Sequence, residues 1–277
     1  MMSAPAANRA HGRAVERAAL FSGLRELEAY SLPCDRVYFG HEFCQRRLPE
    51  AGEARRALEL AEARNLPFTL VTPFVTDAGL ARVRALLSEL TGAGVPSGFE
   101  AVVNDWGALR MIRREWPGIP IALGRLLTKQ KRGPRLMNII GRLPADAADH
   151  FMRSNVDAPR LADFLRAQGV VRVELDNLLQ GIRREPGALP ASLYTPFAYI
   201  STTRLCLLMG GDQPGKNFRS IGRCSRECLR YGITLAHRDM PVPLRLQGNT
   251  MFFENKKLPP DLAALNINRI VIEPSLP

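Results

Sequence analysis

Short apolar, β-branched runs recur along the chain, and most are followed by a stretch whose apolar residues return every three or four positions. "RVYFG" (Arg36 to Gly40) has the pattern of a buried strand, and "EARRALELAEARN" after it has that of a helix with Ala54, Leu58 and Ala61 on one side. "PFTLVTP" (67–73) leads into "DAGLARVRALLSEL", where Leu80, Val83, Leu86, Leu87 and Leu90 share a face and Asp77 stands as the N-cap. "FEAVVND" (99–105) precedes the helix "WGALRMIRREW". "IPIALG" (119–124) is separated by a long connection from the helix "APRLADFLRAQG". "VVRVELD" (170–176) and "PFAYIST" (196–202) follow as strands, and "ITLAHR", "VPLRLQGN" and "RIVIEP" give three more near the carboxyl end.

Strand and helix alternate, and no Gly-rich dinucleotide fingerprint follows any strand, so the pattern predicts an α/β fold of the TIM-barrel type rather than a doubly wound sheet. The opening fits poorly. Residues 13–30 ("RAVERAALFSGLRELEAY") have a helical composition, so the barrel is expected to be incomplete or to have an altered first strand. Residues 1–19 are read as a flexible N-terminal extension and 20–277 as a single barrel-like domain, with no linker or repeat that would divide it.

Composition narrows the function classes. With 277 residues, 46% of them hydrophobic, the chain can bury a large core, yet no apolar run reaches the length of a membrane helix and no secretory signal opens it. It reads as a cytoplasmic protein. A formal charge of +11 favours acidic partners, RNA or an anionic small molecule among them. Five cysteines, an odd number, argue against a disulfide framework and leave metal binding, catalysis or packing.

In a barrel, ligands meet the carboxyl ends of the strands. Cys44 follows "RVYFG" and Cys206 follows "PFAYIST", so both are expected at one rim; Cys224 and Cys228, four positions apart in "RCSREC", come from the next segment. Four thiols converging there suit zinc or an iron-sulfur cluster. The close pair is C-x3-C and the other two are isolated, which departs from the paired knuckles of structural zinc. The basic flank "KNFRSIGRCSRECLR" would offset an anionic thiolate site. His41, near Cys44, stands where it would tune the site, whereas His11, His150 and His237 form no spaced motif with it. A substrate site is expected from Arg125, Lys129 and Arg132 in "GRLLTKQKRGPR", with Glu174 and Asp176 at the end of another strand, cations for a carboxylate or phosphate and carboxylates beside them. No nucleophile elbow, P-loop or metalloprotease helix is present.

"DRVYFGHEFCQRR" together with "PFAYISTTRLC" and "RCSRECLRYG" resembles peptidase family U32, and within it the short proteins of the UbiV type. The resemblance runs from about Leu20 onward and implies a 4Fe-4S cluster on Cys44, Cys206, Cys224 and Cys228, leaving Cys34 as a buried thiol. It further implies a part in O2-independent hydroxylation of an isoprenoid quinone (ubiquinone) precursor, as a heterodimer with a UbiU-like partner. Members acting on RNA bases imply an RNA base hydroxylation enzyme or subunit as the alternative. A metal-stapled scaffold without catalysis is a third reading, with zinc or a cluster as the staple, and proteolysis is the weakest. The missing opening strand, the strong basicity and a longer stretch between Cys44 and Cys206 depart from the UbiV pattern.

Overall fold

The computed structural model describes residues 15–211, 215 and 223–277. Seven strands, β1 (Glu16–Phe21), β2 (Arg36–Gly40), β3 (Phe68–Val71), β4 (Glu100–Val103), β5 (Ile121–Leu123), β6 (Val170–Asp176) and β7 (Ala191–Thr195), pair in parallel and in sequence. The chain then builds a separate antiparallel sheet from β8 (Phe197–Thr202), β9 (Ile233–Leu235), β10 (Leu244–Gln247) and β11 (Thr250–Glu254), in the order β8-β11-β10-β9. It returns as β12 (Ile267–Ile272), which pairs with β7 on one side and β1 on the other and closes an eight-stranded parallel barrel. Helices α1 (Leu24–Ala29), α2 (Ala51–Ala63), α3 (Asp77–Thr91), α4 (Trp106–Glu115), α5 (Ala145–Met152) and α6 (Pro159–Ala167) follow the first five strands. The architecture is a TIM-type barrel with a four-stranded sheet inserted before its last strand.

Alternation along the strands separates two cores. Ala19, Phe21, Val37, Phe39, Leu70, Val103 and Leu123 point outward and pack under the helices, while Ala18, Leu20, Tyr38, Val71, Val102, Ala122, Tyr194 and Val271 fill the barrel. On α3 the buried Val83, Leu86, Leu87 and Leu90 are the face expected from the pattern. The N-cap is Thr76, whose hydroxyl accepts from Gly79 N at 3.4 Å; Asp77 is the first helical residue instead. Asp105 caps α4 by accepting from the backbone N–H groups of Gly107 and Ala108.

Three expectations from the sequence are corrected. The first strand is present and complete. β1 lies inside the stretch expected to be helical and takes up residues 16–19 of the expected 1–19 extension, of which residues 1–14 fall outside the described residues. Its Glu, Arg and Ala residues favour a helix locally, but strands on both sides supply the hydrogen bonds, and tertiary pairing overrides propensity. "PFAYIST" is not a barrel strand: the seventh barrel position belongs to β7, "ASLYT". β9 and β10, read from "ITLAHR" and "VPLRLQGN", also lie in the inserted sheet.

The barrel interior carries ion pairs at both ends. At the amino end Arg269 meets Glu16 at 2.5 Å and Glu100 at 2.7 Å, and Arg36 meets Glu16 at 2.7 Å. Between the ends, Arg269 donates to Tyr38 Oη at 2.7 Å, and Ser192 Oγ donates to Glu174 Oε1 at 3.1 Å. Glu174 Oε2 and Tyr194 Oη have no partner. Burial, only partly offset by Arg269 and Arg172, pushes the Glu174 carboxyl up to about 7.

The folded state therefore binds this proton more tightly than the unfolded chain, whose Glu titrates near ~4.3. Its stability contribution is complete below that value and is lost as pH rises through about 7. The loss is on the order of 3 kcal/mol. Glu174→Gln, which keeps the shape without the charge, is expected to melt higher than the parent at pH 8 and to lose that advantage at pH 5. Parallel melting curves for the two proteins across this range would show that Glu174 is not the titrating group.

Candidate metal centre

The inserted sheet lies over the carboxyl end of the barrel. Tyr199 and Phe252, cross-strand neighbours on β8 and β11, pack with Phe43 from the loop after β2 and with Leu126 from the loop after β5. Phe43 stands 5.2 Å, centroid to centroid, from both rings. This apolar contact brings the β2 loop, which carries Cys44, against the sheet that carries the later cysteines.

Cys44, Cys206, Cys224 and Cys228 all line one cavity of about 230 Å³. Cys34 does not; it packs at the edge of the helix-facing core. Each thiol is half-buried. Burial raises Cys44 and Cys206 above the ordinary thiol range, and the nearby Cys224 and Cys228 push both further in the same direction. No three of the described His, Cys, Asp and Glu side chains are already gathered around one point. The thiols line a void with the volume of several waters, at roughly 30 Å³ each.

Three local devices place them. In the β2 loop, Nδ1 of the buried His41 accepts from the backbone N–H groups of Phe43 and Cys44, both at 3.1 Å, fixing the turn that presents Cys44. Burial, with Arg47 and Arg125 close by, holds His41 well below the usual imidazole range, so the ring is neutral and able to accept these bonds. In the insertion, the carboxylate of the buried Glu227 accepts from Gly210 N at 2.8 Å and Ser225 N at 3.2 Å, tying the Cys206 segment to the Cys224 and Cys228 segment.

The third device is the two-residue turn Gly248–Asn249 between β10 and β11. Asn249 Nδ2 donates to Phe43 O at 2.7 Å and to Thr203 O at 2.6 Å, joining the β2 loop to the end of β8. Gly248 has φ +60°, and a Cβ there would stand 3.3 Å from Cys228 Cβ and 3.7 Å from its sulfur. A side chain would thus crowd one thiol of the set. The adjacent Gln247 Nε2 donates to Cys228 O.

The cavity is electropositive. Arg46, Arg47, Arg204 and Arg226 line it and no Asp or Glu does among the described residues; Arg47 Nη1 is 4.0 Å from Cys228 Sγ. Four sulfur donors, arginines to offset their charge and a glycine cradle fit a thiolate-ligated metal group. Of the basic flank expected to serve here, Arg226 lines the cavity, while Arg46, Arg47 and Arg204 come from other segments; residues 216–222 of that flank lie outside the described residues, as does His11. His150 and His237 lie away from the cavity.

The residues expected to bind substrate divide. Arg125 is fully buried and pairs with Glu42, with Asp176 at 3.1 Å and with Glu273 at 2.7 Å, while its guanidinium lies 3.8 Å from the Tyr194 ring centroid. Arg132 reaches Asp176 at 2.7 Å and donates to Arg125 O and Thr128 O. Arg125, Glu174 and Asp176 are interior struts. They bind one another's elements and do not line the thiol cavity. Of these residues Lys129 meets no carboxylate among the described residues, its Nζ donating to Leu126 O at 3.1 Å. Asn249, Gly248 and Glu227 were missed by sequence reasoning. The "GN" between two alternating runs is a hairpin-turn signal that was available.

No protein-family model matches the chain, and no curated protein matches it. Among solved structures the chain is similar to a U32 peptidase, Mk0906, at 12% identity and TM-score 0.49, over 99% of this chain and 98% of that one. It is also similar to a chitinase from Trichuris suis at 8% identity and TM-score 0.37, over 93% and 91% of the two chains. A glycoside hydrolase family 18 N-acetylglucosaminidase from Paenibacillus barengoltzii follows at 10% identity and TM-score 0.33, over 93% and 94%. Among the described residues no helix is long and apolar enough to cross a membrane.

Replacing Arg125 by Ala leaves three buried carboxylates without their shared cation, which costs roughly 3–5 kcal/mol by analogy with broken buried pairs. Denaturant unfolding of Arg125→Ala is expected to show that loss. A variant as stable as the parent would return Arg125 to the pool of ligand-binding residues.

Proposed function

We propose that Cys44, Cys206, Cys224 and Cys228 hold a 4Fe-4S cluster and that the protein takes part in an O2-independent hydroxylation of an isoprenoid quinone precursor, together with a UbiU-like partner. One observation carries the metal reading: four cysteines from three separated segments line a single cavity, and the fifth is elsewhere. The reaction class and the partner rest on the resemblance of the cysteine-bearing stretches to UbiV-type members of family U32.

When bound, such a cluster supplies one-electron transfer. The chain's own residues do the rest of the work at the site. His41 fixes the Cys44 turn while neutral, and Asn249 and Glu227 hold the three cysteine segments together. Arg46, Arg47, Arg204 and Arg226 offset the negative charge that four thiolates bring. The volume of the cavity favours a cluster over a single zinc ion, which draws its sulfurs to ~2.3 Å from one centre.

Protein isolated without oxygen is expected to carry about four irons per chain with matching acid-labile sulfide, and a brown colour that bleaches on reduction. Cys224→Ser and Cys228→Ser should lose iron, and Cys34→Ser should keep it. Stoichiometric zinc without sulfide, or no metal after anaerobic reconstitution, would overturn the cluster.

A further inference from the structure

A second cavity, about 610 Å³, opens beside the thiol cavity where β8 faces the loops after β4 and β5. Its volume is within the ~300–1,000 Å³ typical of small-molecule sites. Phe74 and Arg204 line both cavities, so the two share a wall.

The lining combines aromatic surface with uncompensated positive charge. Phe74, Trp106 and Tyr199 contribute rings, and Trp106 is 45% exposed although it is among the largest apolar side chains. Three cations line the groove, but they differ. The charge of Arg132 is matched by Asp176 at 2.7 Å. Lys129 Nζ meets only Leu126 O, and Arg204 donates to Val75 O at 3.0 Å and lies over the Phe74 ring at 4.9 Å; neither meets a carboxylate among the described residues. Asp105 is the single acidic residue of the lining, and its oxygens accept from the backbone N–H groups of Val75, Gly107 and Ala108. Its charge is thereby spent on the start of α4.

We infer that this groove binds a small aromatic anion, its ring against Trp106 and Phe74 and its carboxylate or phenolate between Lys129 and Arg204. Ring stacking supplies sequence-independent affinity for a flat ligand, and two unpaired cations select its charge. The inference rests on the proposed function for the chemistry at the thiols, but not for the binding. Single-stranded RNA would also stack on such rings, yet two cations free of carboxylates suit the single charge of one aryl anion better than a phosphate backbone, which requires a track of positive charge.

The test is calorimetric titration of 2-naphthoate into the full chain, in iron-loaded and in metal-free form, with 2-naphthalenemethanol as the neutral counterpart and octanoate as the aliphatic one. Naphthoate is expected to saturate one site, the other two binding about tenfold or more weakly. Lys129→Ala and Trp106→Ala should each weaken naphthoate about tenfold while melting temperature and iron content stay at parental values. Absence of saturable binding, equal binding of the neutral alcohol, or variants that bind like the parent would each overturn the site. Capture of a single-stranded RNA oligomer that depends on Lys129 and Trp106, with no naphthoate binding, would overturn it in favour of nucleic acid. Naphthoate binding by a chain that takes up no iron would keep the groove and remove the cluster; iron uptake without naphthoate binding would do the reverse.

Discussion

One guanidinium organises the carboxyl end of this barrel. Arg125, wholly removed from water, is bound by Glu42 after β2, Asp176 at the end of β6 and Glu273 after β12, and it donates to Phe197 O at the start of β8. Tyr199 Oη donates to its carbonyl. Three carboxylates meet this cation, Asp176 also pairing with Arg132, and burial, opposed by Arg125 but reinforced by Glu42 and Asp176, pushes Glu273 up to about 8. The barrel strands and the inserted sheet are thus joined through a single side chain whose removal would leave uncompensated charge in the interior.

That constraint decides where ligands can go. In a barrel the axis at the carboxyl end is the usual place for chemistry, but here it is closed by Arg125 with its carboxylates and capped by Phe43, Tyr199 and Phe252. Two open volumes lie to the side, between the strand-end loops and the inserted sheet. Glu42 belongs to the buried network and Cys44, two residues on, to the thiol cavity, so the same loop anchors the plug and presents a sulfur. Rigidity of the plug is transmitted directly to the position of that thiol.

What the sequence made legible follows from which forces are local. β2 to β5 were readable because their apolar runs are bounded by polar turns and followed by helices, and β6 because its apolar run follows the helical pattern of α6. β1 was not, because "ERAALF" is a strand only by virtue of its neighbours β2 and β12. "PFAYIST" was recognisably a strand, but nothing in seven residues says which sheet it joins, and the true seventh strand, "ASLYT", lay unread just before it. The cysteines could be singled out since thiols at strand ends are scarce. Arg125, Glu174 and Asp176 occupy equally suggestive positions and turn inward, because a strand-end charge can meet a partner across the barrel as readily as a ligand. Pairings between residues 42, 125, 176 and 273 are too distant in the chain for any spacing rule.

The electrostatics of the thiol cavity explain why its parts belong together. Four arginines and, among the described residues, no Asp or Glu line this half-buried space. Thiolates would supply the counter-charge, but at Cys44 and Cys206 burial and the nearby Cys224 and Cys228 oppose ionisation, raising both thiols. The metal group proposed for these thiols would resolve both problems at once: it would displace the protons, occupy the void and leave a net negative assembly for the arginines to meet. Arg204 also lines the neighbouring groove, so the cation that would balance the sulfurs adds to the positive charge there.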